Sequence, residues 1–171
     1  RMEVHKLDTE THDFFNELDF YVLSNFSAFN LEWEGLTCPT SDHAYHWEKF
    51  ACEEMDLPGG RSDIAYFVMT APSAHEAFKI AERNKAKRRS DWDEVKVGVM
   101  RRILHAKADQ HEYVRRKLLA TGDRALVENS WRDDFWGWGA DGCGQNMLGK
   151  LWMEVRAELR AAAEAPCLQA A

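Results

Sequence analysis

A glycine-rich run from Trp136 to Gly149 constrains the fold of this chain more than any other stretch. Four of its glycines fall within the eight residues 137–144, and a helical pattern follows the run directly. Glycine lets backbone N–H groups approach an anion closely, and the N-terminus of a helix adds positive partial charge. The run therefore indicates a loop that binds a phosphorylated ligand, with a flexible glycine loop as the alternative. Trp136 and Trp138 are candidates to stack on a base or cover a sugar.

The same run contains Gly137-x-Gly139-x-x-Gly142, which matches the dinucleotide-binding fingerprint letter for letter. That fingerprint works only between a buried parallel strand and a helix within a βαβ unit. No such strand is predicted before the run, and no βαβ unit surrounds it. We therefore reject a dinucleotide-binding fold and favour a phosphate-binding loop of another kind.

The composition is that of a globular domain. The chain has 171 residues, 45% of them hydrophobic, which suits one domain with a sizeable core. A net charge of −7 makes general affinity for nucleic acid unexpected. Contact with nucleic acid would need a local basic patch, for which 85–89 and 115–117 are candidates, although such runs are more often solvated surface.

Membrane insertion and secretion are not expected from the sequence. No apolar stretch approaches the roughly 20 residues that span a bilayer, and no signal-peptide pattern is present. The cysteines at 38, 52, 143 and 167 show no paired spacing, which favours reduced thiols. We expect an intracellular, cytoplasmic protein without a membrane partner. The sequence leaves the oligomeric state open.

Hydrophobic periodicity predicts a mainly α fold, a single compact domain with a minor β-hairpin. The first 18 residues are expected to be irregular, and 164–171 a frayed tail. The segments predicted as elements are a hairpin over 30–37; helices from Ser41 to about Glu54, over 62–69, 73–85, 92–108 and 111–121, and from Asn146 onward; and a short strand or extended link over 125–129. Ser90 and Asp93 resemble a capping box before Trp92. Pro58 to Gly60 predicts a loop.

The helix beginning at Ser41 carries the strongest candidate for chemistry. At about 100° per residue, Asp42, Tyr45, His46 and Lys49 share one face, beside the helix N-terminus. That face offers a carboxylate, an imidazole and an amine, and the alternative is an exposed polar face. On the same helix Trp47 and Phe50 are expected to face the core. His43 and His46 have metal-like spacing, but no third ligand is nearby, so no metal is predicted.

Two further segments are candidates for ligand contacts. Ser24-Asn25-Phe26 follows Tyr21, and the alternative for it is a turn. The acidic stretch from Glu128 to Asp134 leads into Trp136-Gly137 and is suited to binding ribose hydroxyls, unless its acids are ordinary loop residues.

These segments, taken in order, resemble the NADAR (NAD- and ADP-ribose-associated) family, also called YbiA-like. The resemblance covers about residues 20–160. The matching residues are 20–26, 39–43, Lys49-Phe50, 92–96, Met100, 118–122, Trp136-Gly137, Gly142, Gly144, Asn146, Leu148, Gly149 and Met153. It implies a NADAR domain over 19–163 that is mainly α, needs no cofactor and cleaves N-glycosidic bonds of phosphorylated ribosides.

Family members act on two substrate classes, ADP-ribose attached to guanine and ribosylamino-pyrimidine phosphates of riboflavin synthesis. The chain departs from the family where Asp42 replaces a glutamate and Ala44-Tyr45-His46 replaces an aromatic-aromatic-Gln segment. The usual Gly-Arg before Trp92 is also not visible, because 80–89 diverge. Since riboflavin-type members usually keep the aromatic-Gln segment, we expect the ADP-ribose class. ADP-ribose or a related riboside is then the partner, and ADP-ribosylated DNA or RNA is a further candidate.

The resemblance implies site residues at Asp42, at Trp92 and at Asp133 or Asp134. Together with the helical face, it leads to a mechanism in which Lys49 captures C1 of the opened ribose as a Schiff base. Trp92 and Trp136 are expected to stack on base or ribose, and His46 is a second-choice proton carrier. The predicted catalytic residues are Asp42, Lys49 and Asp133. The predicted substrate-binding residues are Ser24, Asn25, Phe26, His43, Tyr45, His46, Trp92, Asp134, Trp136, Gly137, Gly142, Gly144, Asn146, Leu148 and Gly149. The rivals are a riboflavin-intermediate glycosidase and a non-catalytic ADP-ribose reader.

Overall fold

The computed structural model describes residues 12–14, 20–51 and 61–164, with the backbone alone at 12–14 and 61. In this part of the chain helix dominates, as predicted. The helices are α1 (Ser41–Glu48), α2 (Arg61–Met69), α3 (Ala74–Arg83), α4 (Trp92–Gln110), α5 (Glu112–Ala120) and α6 (Met147–Glu164). The strands are β1 (His12–Phe14), β2 (Leu31–Trp33), β3 (Leu36–Cys38) and β4 (Ala125–Val127). Among these helices none is both long and apolar enough to cross a bilayer.

The chain divides into two compact units, one of residues 24–112 and one that combines residues up to 23 with those from 113 onward. The first unit contains the predicted hairpin. Strands β2 and β3 pair antiparallel, and Glu34 (φ 49°) and Gly35 (φ 79°) form the turn between them. Positive φ at both central residues is the turn geometry that matches the twist of a two-residue hairpin.

Helix α1 packs against this hairpin and against α2, α3 and α4. Phe50 is fully buried in a cluster with side chains of α2 and α3, and Trp47 packs against the same cluster. The prediction that these two residues face the core is therefore confirmed. The helix itself ends at Glu48 rather than near Glu54, because Lys49 and Phe50 close a tighter turn with bonds to the carbonyls three residues back. Residues 52–60, including the predicted Pro58–Gly60 loop, lie outside the described residues, as do 165–171.

The second unit contains a strand pair that the sequence did not predict. Strand β1 pairs parallel with β4, His12 opposite Ala125, so the first 18 residues are not wholly irregular as expected. Three residues are too few to show the period-2 alternation by which strands are detected, and the partner strand lies far along the chain. The strand proposed for 125–129 is confirmed over 125–127. Helix α6 packs on β4.

The helix boundaries contradict one predicted end signal and agree with another. No side-chain cap bond is made at Asp91, the N-cap of α4. The Asp93 carboxylate instead accepts from Arg88 Nη2 at 2.6 Å and Lys96 Nζ at 3.2 Å, so the proposed capping box with Ser90 is wrong. Gly122, with φ 58°, follows α5 in the left-handed conformation expected of a C-terminal glycine.

Gly149 should be the glycine whose replacement costs the most stability. A Cβ there would collide with the carbonyl oxygen of Leu126 on β4 and lie 2.6 Å from the Asn146 amide. Since the first obstacle is backbone, α6 would have to move, and we expect Gly149→Ala to lower the free energy of unfolding by about 3 kcal/mol. Urea denaturation measures this change.

Gly98→Ala is the matched control for that measurement. Gly98 is exposed inside α4, with no heavy atom within 4 Å of the Cβ position. Alanine is a better helix former, so this variant should be about 0.5–1 kcal/mol more stable than the parent. Equal stability of the two variants would show that the approach of α6 to β4 is not tight.

Candidate active site

The N-terminus of α1 is held by a buried threonine–histidine pair. Thr40 Oγ1 accepts from the backbone N–H of His43 at 3.3 Å, and the His43 ring lies 2.9 Å from the same oxygen through Nδ1. The other ring nitrogen, Nε2, donates to the carbonyl of Ala71 at 3.1 Å. Burial lowers the pKa of His43, so the ring is held neutral in this arrangement. Both nitrogens are occupied, which gives His43 a structural role in place of the predicted substrate contact.

The face of α1 predicted to carry chemistry is brought together and buried. Asp42 Oδ2 lies 3.3 Å from His46 Nε2. The Lys49 ammonium lies 5.1 Å from the centre of the Tyr45 ring and 5.7 Å from that of Trp92. Asp42, His46 and Lys49 are only 7%, 3% and 8% exposed. The alternative of an exposed polar face is therefore wrong.

Burial also changes the role of Trp92. The ring is 2% exposed and packs against Tyr45 with their centres 5.0 Å apart. A ring so covered offers no free face for a base, contrary to the stacking role predicted for it. It instead forms, with Tyr45, an aromatic wall beside the amine of Lys49.

Polar atoms without a hydrogen bond concentrate at this face. In the described part of the chain four buried side-chain atoms make no hydrogen bond: Asn25 Oδ1, Ser41 Oγ, Asp42 Oδ2 and His46 Nδ1. The Asp42 backbone N–H donates to the carbonyl of Asn25 at 3.1 Å, which ties the two segments together. Each buried group left unpaired costs about 1–3 kcal/mol, so folded proteins rarely keep several together. Such a group of donors and acceptors is suited to a polar ligand.

The environment of Lys49 increases the neutral fraction of its amine. Burial lowers the pKa of Lys49 to about 8, while Glu82 and Asp42 oppose that shift and Arg88 and Lys85 add to it. An amine with such a pKa is present in its nucleophilic form at neutral pH in a usable fraction.

The segment 24–27 is positioned by a lysine that the sequence analysis missed. Lys107 of α4 is fully buried and donates to the Ser24 carbonyl at 2.8 Å and to Ser27 Oγ at 2.7 Å. Burial lowers the pKa of Lys107 to about 7. In the sequence, the only sign of this role was the position of Lys107 among the apolar residues of α4. The Ser24 hydroxyl accepts from the Phe26 N–H at 3.2 Å, which matches the turn considered as the alternative.

Phe78 of α3 is a second residue that sequence reasoning did not select. It is 42% exposed and makes an edge contact with His46, with ring centres 5.7 Å apart. Phe26 is comparably exposed, at 44%. These two rings, unlike Trp92, offer free aromatic surface in this unit.

The glycine-rich run does not form the predicted anion cradle. Its N–H groups donate within the loop: those of Gly144, Asn146 and Leu148 to the carbonyls of Trp138, Gly137 and Trp136, at 2.7, 3.0 and 3.1 Å. The bonds of Gln145 and Met147, to Asp134 and Phe135, complete the same ladder. Donors already used in this way are not available to a diphosphate, so that prediction is not supported.

Close packing explains the glycines of the run instead. A Cβ at Gly144 would lie 2.5 Å from the carbonyl oxygen of Gly137, and one at Gly137 would lie 2.8 Å from Ser130 Cβ. Gly142 is required by its φ of 72°. The sequence predicted no parallel strand before the run, yet β4 precedes it and pairs parallel with β1. The dinucleotide-binding fold remains rejected.

The other predicted residues of this unit mostly support the loop. Asp133 Oδ1 accepts from the N–H groups of Phe135 and Trp136 at 2.9 and 2.8 Å. Asn146 (φ 50°) bridges the Leu126 carbonyl and the Glu128 N–H. Leu148 and Gly149 are buried, while Asp134 is exposed and Trp136 half-buried. Burial, followed by the charge of Asp133, raises the pKa of Glu128 to about 7.

A separate cleft of about 510 Å³ in the 24–112 unit does not include Asp42, His46 or Lys49. Its buried acid, Glu48, accepts from Trp33 Nε1 at 2.9 Å and lies 3.6 Å from an Arg102 nitrogen. That carboxylate is satisfied, so the cleft is a weaker candidate for chemistry. No group of three His, Cys, Asp or Glu side chains suited to a metal occurs among the residues that the structure describes.

The described part of the chain is mainly α, with an acid, an imidazole and an amine buried on one helical face. It belongs to the NADAR domain family, whose model matches residues 13–160. N-glycosidase YbiA of Escherichia coli (strain K12) is 37% identical over 141 residues, which cover 82% of each chain. The solved structure of Escherichia coli YbiA matches with a TM-score of 0.76 and 34% identity, over 91% of this chain and 89% of that one. The predicted family and mainly α fold class are confirmed.

Another relative is named for a biosynthetic pathway and not for glycosidase activity. A riboflavin biosynthesis protein of Vibrio vulnificus (strain YJ016) is 37% identical over 138 residues, which cover 81% of this chain and 35% of that protein. The matched relatives therefore include proteins named for glycosidase activity and proteins named for a biosynthetic pathway.

Proposed function

We propose that this chain is an N-glycosidase that cleaves the N-glycosidic bond of a phosphorylated riboside, with ADP-ribosylated guanine as the favoured substrate. The observation that carries the proposal is the Lys49 amine, buried against Tyr45 and Trp92 on the same helical face as Asp42. The family membership and the names of the N-glycosidase relatives support the reaction class.

The proposed reaction passes through a Schiff base. Protonation of the ribose ring oxygen breaks its bond to C1 and leaves a C1 iminium to the base. The neutral Lys49 amine adds to C1, and the proton that this amine then loses goes to the departing base as the C1–N bond breaks. Water adds to the resulting lysine imine and releases ADP-ribose and the free amine.

Asp42 and His46 are the proposed proton carriers for these steps. Their contact at 3.3 Å lets one orient the other, and neither Asp42 Oδ2 nor His46 Nδ1 makes a hydrogen bond. A carboxylate near C1 also stabilises positive charge that develops on the sugar. Asn25 Oδ1 and Ser41 Oγ are then available to bind ribose hydroxyls.

A ribosylamino-pyrimidine phosphate is the second candidate substrate, favoured by the riboflavin biosynthesis relatives of Vibrio vulnificus and Zea mays. A non-catalytic reader of ADP-ribose is less well supported, because a reader has no need of a buried amine with a lowered pKa on the same helical face as a carboxylate. Incubation with both substrate classes, followed by mass-spectrometric detection of the released base, separates the three. Micromolar binding of ADP-ribose without release from either substrate would overturn the enzymatic proposal.

The rate should depend on pH through the free amine of Lys49. Because its pKa is about 8, the reactive neutral form is lost below that pH. We expect kcat/KM to rise about tenfold per unit up to pH 8 and then level off. Initial rates of base release between pH 5.5 and 9.5 measure this, and a rate that does not change between pH 6 and 8 would argue against the amine as nucleophile.

A further inference from the structure

The proposed substrate carries phosphate, and the N–H groups of residues 144–148 in the glycine-rich run are already bonded within their own loop. The residues 83–89 are the strongest concentration of positive charge near the buried amine. Five of these seven residues are Lys or Arg and none is acidic, in a chain whose net charge is −7. The segment leaves α3 and forms a short 3₁₀ turn over Lys85–Lys87.

This basic segment is attached directly to the residue that carries the amine. The backbone N–H of Arg89 donates to the Lys49 carbonyl at 2.9 Å. Lys85 and Arg88 are close enough to Lys49 for their charges to act on its ammonium. The turn therefore presents cations beside the proposed point of bond cleavage.

The cations of the segment differ in how they are already paired. Arg89 makes two bonds to the Asp91 carboxylate, at 2.6 and 2.8 Å, and is largely neutralised. Arg88 is half-buried and bonds Asp93 at 2.6 Å, a carboxylate that it shares with Lys96. Lys85 is exposed and has no ion pair among the residues that the structure describes.

The second basic run, 115–117, is used differently. Arg116 lies over the Tyr113 ring at 5.4 Å, and Lys117 lies over Phe20 and Tyr113 at 5.9 Å each. Its cations pack on aromatic faces of its own unit, a common structural use of such side chains. It therefore serves as the matched basic run for comparison.

We propose that Lys85, assisted by Arg88, binds the phosphate or diphosphate group of the substrate and so orients the ribose toward Lys49. The inference rests on the proposed function for the identity of the substrate, but phosphate binding can be tested without turnover. A lysine supplies a mobile point charge and an arginine a directional fork, which together suit a flexible diphosphate.

The test compares Lys85→Glu with the control Arg116→Glu by calorimetric titration of ADP-ribose, inorganic pyrophosphate and ribose. Lys85→Glu should weaken ADP-ribose binding at least tenfold and remove pyrophosphate binding, whereas Lys85→Arg restores both. Arg116→Glu should bind as the parent does, and thermal denaturation checks that each variant is folded. Unchanged ADP-ribose affinity in folded Lys85→Glu would overturn the proposal.

Two further measurements, oligonucleotide binding and base release, separate this inference from its alternatives and from the proposed function. Loss of affinity for an unmodified oligonucleotide, with ADP-ribose binding intact, would assign the segment to nucleic-acid backbone and contradict substrate binding. Parent protein that binds ADP-ribose through Lys85 but releases no base would sustain the phosphate site while refuting the glycosidase. Base release that is unaffected by Lys85→Glu at low substrate concentration would sustain the glycosidase and refute the phosphate site.

Discussion

Replacing Lys49 by methionine is expected to lower kcat/KM for base release by about a thousandfold or more, the loss typical of a removed nucleophile. The amine is the group that attacks C1 in the proposed mechanism, and no other lysine shares this face of α1. Methionine keeps the volume and the contacts with Tyr45 and Trp92, so the aromatic wall should remain closed. The measurement is the initial rate of guanine-nucleoside release from ADP-ribosylated guanosine.

The Lys49 variant should remain folded, because a buried charge is replaced by an apolar group of similar length. Its melting temperature is therefore the control, and it should match or exceed that of the parent. Lys49→Arg keeps the charge but supplies no neutral amine, so it should be equally inactive. An arginine variant with more than a tenth of the parent rate would show that Lys49 serves as a charge and not as a nucleophile.

Asp42→Asn should produce the second large loss, about 10² to 10⁴-fold in kcat, as expected when a proton carrier is removed. The substitution preserves shape and keeps the backbone bond from the residue 42 N–H to Asn25. It removes the carboxylate that faces His46 and that the proposed mechanism uses to stabilise positive charge on the sugar. Asp42→Glu, which restores the carboxylate on a longer side chain, should recover part of the activity.

The pH profile of the Asp42→Asn variant tests whether the Asp42 charge acts on the Lys49 amine. The Asp42 charge favours the protonated form of Lys49, so its removal lowers the pKa of that amine further. The pH at which the residual rate levels off should therefore move below that of the parent. A kcat that falls without this shift would indicate that Asp42 and Lys49 do not interact as the structure places them.

The helical spacing on α1 was sufficient to predict which residues meet. Asp42, Tyr45, His46 and Lys49 were assigned to one face from a 100° rotation per residue, and the Asp42–His46 and Tyr45–Lys49 contacts agree. Their burial was not predictable, because a polar stripe looks the same in sequence whether water or protein covers it. Tertiary packing of Trp92 on Tyr45 decides that question.

For the glycine-rich run the sequence predicted the wrong role. Glycines that approach a phosphate and glycines that approach a carbonyl have the same sequence signature, since both need space where a Cβ would lie. Gly144 and Gly149 face carbonyl oxygens of their own unit. His43 illustrates the same limit for a polar residue, because only the position of the Ala71 carbonyl reveals that its ring is occupied.

The reduction of a trapped intermediate tests the central claim most directly. Borohydride added during turnover of ADP-ribosylated guanosine should convert the lysine imine to a stable amine, which intact mass and peptide mapping then locate. The account predicts an ADP-ribosyl adduct on Lys49 that is absent from Lys49→Met. Rapid base release with no adduct, or an adduct that persists in the Lys49 variant, would contradict it.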